Sequence, residues 1–96
     1  LEYLNILKIT LDNCLKVFKP DFVIYDAGVD IHIDDKLGNL NISTNGILKR
    51  DQLVLSFFKE KSVPISTVIG GGYSSDNIEL AKRHSIIFQA THEVFS

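Results

Sequence analysis

Two short β-favouring runs constrain the fold of this chain more than any other feature: Phe22, Val23, Ile24 and Tyr25, and then Ile65 to Ile69. The first is apolar at consecutive positions, which suits a strand buried on both faces of a parallel sheet, and the second reads as another buried strand. Around them, apolar residues fall at helical spacing. Leu4, Leu7, Leu11, Cys14, Leu15 and Phe18 recur every three or four positions, with Lys8, Asp12 and Lys16 elsewhere, until Pro20 ends the helix. The stretch 34–45, rich in Gly, Asn, Asp and Ser, reads as a loop. Ile47, Leu48, Leu53 with Val54, Phe57 and Phe58 then describe a second helix, and Pro64 restarts an extended segment. Asp76, with Glu79 three residues on, has the form of a capping box for a last helix reaching about His92. The order is helix, strand, helix, strand, helix. Strands alternating with helices predict an α/β fold: a parallel sheet with right-handed crossovers and helices on both faces.

Composition narrows the function classes. The 96 residues, 45% hydrophobic with a net charge of -2, describe one globular unit with no basic surface for nucleic acid. No apolar run approaches the roughly 18 to 20 residues of a membrane span. The single Cys14 has no internal disulfide partner and no secretory leader opens the chain, so a reducing, cytoplasmic location is expected. The chain starts at Leu1, inside a running helix and without a capping residue, which suggests that an N-terminal part precedes it.

In open parallel sheets the ligand lies beyond the carboxyl ends of the strands, where the loops converge. Two unusual segments sit there: DAGVDIHIDDKLG, Asp26 to Gly38, after the first strand, and GGGY, Gly70 to Tyr73, after the second. Residue by residue, plainer roles compete. An Asp after a strand, such as Asp30, is commonly a turn former, and three glycines before Tyr73 also suit a tight turn or a phosphate cradle. The carboxylates of Asp34 and Asp35 are adjacent, so they point differently, and local bonds to backbone amides are expected of them. His84, His92 and Cys14 are expected to be structural or solvated.

Taken together, these segments resemble the zinc-dependent histone deacetylases and their bacterial relatives, within the arginase/deacetylase fold, and most nearly the class IV group. The resemblance runs from the helix carrying Tyr3 and Leu4 through PDFVIYDAGVD, the DDKLGNLNIS loop and the GILKRD helix start to VIGGGYS. It implies that residues 1–96 form the C-terminal portion of one three-layer deacetylase domain. It further implies that Asp30 is a ligand of Zn2+ and that Tyr73 hydrogen-bonds the scissile carbonyl. Gly70, Gly71 and Gly72 would shape the substrate site by letting the backbone pass close to the substrate and by taking torsions that a Cβ forbids, and His32 would stand at its rim or else be a solvent-facing or structural residue. The implied reaction is hydrolysis of an N-acyl amide, either acetyl-lysine or a small acetylated amine.

The family's paired histidines and its Asp-x-His zinc segment lie upstream of the matched region. Asp30 and His32 do not supply that segment, because Ala27, Gly28, Asp35, Leu37 and Gly38 match the downstream single-ligand motif. Alone, the chain is therefore expected to bind zinc weakly and to be inactive. The other reading is a non-catalytic α/β module for association or nucleotide binding. Against a phosphate loop, Tyr73, Ser74, Ser75 and Asp76 follow the glycines where Gly-Lys-Ser/Thr would stand. Two strands with uncovered edges also predict self-association of the chain.

Overall fold

The computed structural model describes residues 2–96. The helix α1 (Glu2–Phe18) leads to strand β1 (Val23–Asp26), helix α2 (Thr44–Glu60), strand β2 (Ile65–Val68) and helices α3 (Asn77–His84) and α4 (Ile86–Phe95). The strands pair in parallel, Val23 against Ile65 through Asp26 against Val68, with α2 as the crossover between them. This is the α/β arrangement that the alternating pattern predicts.

The core gathers around α2, the helix with the most buried residues. Its Ile47, Val54, Leu55, Phe57 and Phe58 are buried, each contributing about 1.5–3 kcal/mol by removal from water. Leu55 packs with Ala27, Ile87 and Ala90, joining the loop after β1 to α4. Val54, Phe57 and Phe58 receive Leu7, Leu11 and Leu15 from α1 and Val23, Tyr25 and Ile65 from the sheet. The stripe on α1 is thus real, but Cys14 and Phe18 at its edge stay exposed. Burial alternates along both strands, with Val23, Tyr25, Ile65 and Thr67 turned toward α2. Their neighbours Ile24 and Val68 are 68% and 45% exposed, which corrects the expectation of strands buried on both faces: among the described residues one face of the sheet is covered and the other is open.

Helix ends follow their side-chain chemistry. The Ser43 hydroxyl accepts the Gly46 N–H and starts α2 three residues before Ile47. At the other end, Val63 N–H reaches Phe58 O at 3.0 Å and Ser62 N–H reaches Lys59 O at 3.1 Å, a Schellman closure with Ser62 left-handed at φ 58°. The Asp76 carboxylate accepts from Ile78 and Glu79, as its capping pattern predicts. The single last helix expected from there is instead two. The Ser85 hydroxyl donates to Lys82 O at 2.6 Å, a back-bond that loosens the helical ladder, and Ile86 and Ile87 turn inward immediately after it.

Candidate functional site

Beyond the strands the two segments of the chain stay side by side. Ala27 N–H donates to Val68 O at 3.0 Å and Val29 N–H to Gly71 O at 2.6 Å, so the segment carrying Asp30 runs against the segment carrying Tyr73. The glycines make this approach possible through space rather than torsion, since no glycine has a positive φ. A Cβ on Gly71 would lie 2.8 Å from Asp30 Oδ2, and one on Gly72 would lie 2.6 Å from Val29 Cγ2. A Cβ on Gly70 would overlap the Asp26 carboxylate. The expectation that these residues take torsions closed to other amino acids is corrected here: they are small because their neighbours are close.

Asp30 and Tyr73 line one cavity of about 150 Å³, together with Asp35, Leu37 and Gly72. Asp30 is exposed, and it also borders a second recess of about 310 Å³ with Asp26, Gly28, Ile31, Arg50 and Gly71. Tyr73 is 43% exposed. A larger groove of about 610 Å³ lies elsewhere, between Gln52, Ser56, Lys59 and Glu60 of α2 and Glu93 and Val94 of α4, and includes none of these residues.

The buried carboxylate of Asp35 ties the two segments together. Its Oδ1 accepts from Leu37 N–H at 2.9 Å and Gly38 N–H at 3.0 Å, while Oδ2 accepts from Tyr73 N–H at 2.6 Å. Burial opposes its charge. The three amides, with the Arg83 guanidinium, outweigh burial and hold the carboxyl below its ordinary pKa. Local amide bonds were expected of Asp35, but its reach across 38 residues to Tyr73 was not. On the far side of the same residue, buried Arg83 donates from Nη1 to Tyr73 O at 3.2 Å.

His32 is buried and engaged within its own loop. Its Nδ1 accepts the Asp34 N–H at 3.0 Å and its Nε2 lies 2.8 Å from Thr44 Oγ1. An amide only donates, so Nδ1 carries no proton and the neutral ring donates from Nε2. Burial, and then the charge of Arg83, push its pKa down and favour that neutral form. His32 lines neither of the two recesses beside Asp30. His84, distant in sequence, packs against the glycine loop: a Cβ on Gly72 would lie 3.2 Å from its Cε1 and Nε2. His92 is exposed and contacts Ser96, and Cys14 is an exposed free thiol.

A second buried cluster supports the site from below. Arg50 Nη1 donates to Gly28 O at 2.7 Å and Nε to Asp51 Oδ1 at 2.9 Å, while the Tyr25 hydroxyl donates to that same oxygen. The guanidinium also lies over the Tyr25 ring, 5.7 Å from its centroid. Burial raises the Tyr25 phenol pKa, partly offset by the charge of Arg50. The carbonyl held by Arg50 is two residues before Asp30, so this cluster fixes the approach to it. Adjacent Arg and Asp on a helix gave no sequence signal of this role; their place on the otherwise apolar buried face of α2 is the only hint.

For a metal, the donor set is partial. Among the described residues no three His, Cys, Asp or Glu side chains come together to hold an ion, whereas a catalytic zinc takes three protein ligands. The exposed Asp30 carboxylate offers one oxygen donor, which does not make a zinc site alone.

A family model described as histone deacetylase domain matches residues 1–87. An uncharacterized protein of Picosynechococcus is 43% identical over 93 residues, covering 97% of this chain and 31% of its own length. Histone deacetylase 2 of Arabidopsis thaliana is 40% identical over 93 residues, covering 90% of this chain and 24% of its own. Histone deacetylase clr6 of Schizosaccharomyces pombe is 30% identical over 77 residues, 80% of this chain and 18% of its own. The chain therefore spans less than a third of the length of each of these relatives.

Proposed function

This chain belongs to the histone deacetylase family, and on that premise we propose that the protein containing it hydrolyses N-acyl amides, either acetyl-lysine or a small acetylated amine, at a zinc centre. Asp30 is one ligand of the ion, and Tyr73 donates a hydrogen bond to the substrate carbonyl. One observation carries this reading: the carboxylate and the phenol, from loops after two different strands, border the same cavity of about 150 Å³. When bound, zinc would supply a polarised carbonyl and a water acidic enough to give hydroxide near neutral pH.

The chain's own residues have separate tasks. The Tyr73 phenol stabilises the negative charge that develops on the carbonyl oxygen, a kind of donor whose removal costs roughly 2.7 to 4 kcal/mol of transition-state stabilisation. Gly70, Gly71 and Gly72 leave room for Asp26, Asp30 and Val29 beside the substrate loop. His32 serves by bracing the loop that carries Asp30, in its neutral state. Against a nucleotide site, the Tyr73 amide is already given to Asp35 and the Asp30 carboxylate lies against Gly71, where a phosphate would be repelled. An exposed Cys14 thiol suits a cytoplasmic setting, and the open sheet face with Ile24 and Val68 suits self-association of the chain.

The test is hydrolysis of an acetyl-lysine peptide and of an acetylated polyamine by the complete protein, before and after chelation. Loss of activity on chelation and its return with Zn2+ is the expected result. Zinc-independent turnover, or none with either substrate, would overturn the proposal.

A further inference from the structure

We infer that Asp35 and Arg83 are positioning residues that set the place of Tyr73 relative to Asp30. The inference rests on Tyr73 acting as the carbonyl-polarising donor and adds what aims it. Three successive glycines precede Tyr73, no regular structure spans residues 70–76, and the loop's backbone bond to the neighbouring segment is at Gly71 O, two residues before the tyrosine. Its two peptide groups are instead held from opposite sides. Asp35 Oδ2 takes the N–H at 2.6 Å, and Arg83 Nη1 reaches the C=O at 3.2 Å. Both side chains are buried, at 4% and 7% exposure, and carry opposite charges, so each bond is charge-assisted.

The same carboxylate also governs Asp30. Its other oxygen binds the amides of Leu37 and Gly38, and Gly38 packs so closely on the Asp30 carbonyl that a Cβ there would overlap it. One buried side chain thus fixes the segment after Asp30 and the peptide of Tyr73 at once. The separation of the Asp30 segment and the Tyr73 backbone is preset before any substrate arrives. Such preorganisation matters because a shift of about 1 Å at a reacting centre can cost about 100-fold in rate.

A double-mutant cycle in the complete protein separates positioning from general stabilisation. Asp35→Asn and Arg83→Gln are each expected to lower kcat by about 10- to 100-fold with KM little changed, and Arg83→Lys is expected to recover part of the loss. In a Tyr73→Phe background, Arg83→Gln should cost less than about 3-fold, because the group it positions is already gone, whereas Asp35→Asn should keep the part of its cost that runs through the Asp30 segment. Fully multiplying losses for Arg83→Gln and Tyr73→Phe would show that Arg83 does not act through Tyr73 and would overturn the inference. If Arg83→Gln fails to fold, Arg83→Lys completes the same cycle.

A second readout needs no activity, so failure of the deacetylase reading stays distinguishable from failure of this one. In the isotopically labelled chain, a scalar coupling through the hydrogen bond should link the Tyr73 amide nitrogen to the Asp35 carboxyl carbon, with slowed exchange of that amide. A Tyr73 amide that exchanges freely and shows no coupling would refute the bracket, whatever the enzyme does.

Discussion

Replacing Asp35 by Asn removes a charge while keeping the shape, and the structure sets the size of the effect. Three backbone amides converge on the carboxylate: Leu37 and Gly38 on Oδ1, and Tyr73 on Oδ2. An Asn has one acceptor oxygen, and its NH2 must face either Tyr73 N–H or the Leu37 and Gly38 pair, donor against donor. At least one charge-assisted bond is lost, which costs about 1.5–3 kcal/mol. With a urea m-value of about 1.5 kcal/mol/M, that moves the denaturation midpoint of the chain down by about 1 to 2 M near pH 7. The pH dependence follows from the depressed carboxyl pKa. Below the unfolded-state value, near 3.9, the unfolded chain takes up the proton first, and the stabilisation is lost as pH falls through the folded value. The gap between wild type and Asp35→Asn should therefore be full at pH 7 and close progressively below about pH 4. A variant as stable as wild type at pH 7, or a gap that persists unchanged in acid, would refute the reasoning.

Leu55→Ala empties a site 1% exposed between Ala27, Ile87 and Ala90, and should cost about 2–5 kcal/mol in the same denaturation assay. Ser62→Gly relieves a left-handed residue in the Schellman closure of α2 and should raise stability by about 0.5–1 kcal/mol, read as a higher midpoint. Ile24 and Val68 form an open apolar face, so light scattering should find the chain self-associated at high concentration, and Ile24→Lys with Val68→Lys should return it to a monomer.

The architecture was legible where one local rule governed each step: Pro20 and Pro64 as boundaries, Asp76 as a cap, and the α2 stripe as the core. The motif segments also pointed to Asp30 and Tyr73, because residues after parallel strands converge. What sequence did not carry was anything that depends on closeness between distant segments. The Asp35 bond to Tyr73, the Arg83 bond to the same residue and the Arg50 bond to Gly28 each span a separation with no local pattern. The glycines were legible as necessary, but their backbone torsions are ordinary, and the crowding by Asp26, Asp30 and Val29 is visible only in the folded chain. The break at Ser85 was hidden because a single Ser back-bond leaves the helical periodicity on either side intact.

The measurement closest to the central claim compares Asp30→Asn and Tyr73→Phe in the complete protein, assaying bound zinc and acetyl-lysine hydrolysis side by side. Asp30→Asn should lose both zinc and activity, whereas Tyr73→Phe should keep its zinc and lose about 100- to 1,000-fold in kcat. Full zinc occupancy in Asp30→Asn, or undiminished kcat in Tyr73→Phe, would contradict the roles given to these two residues.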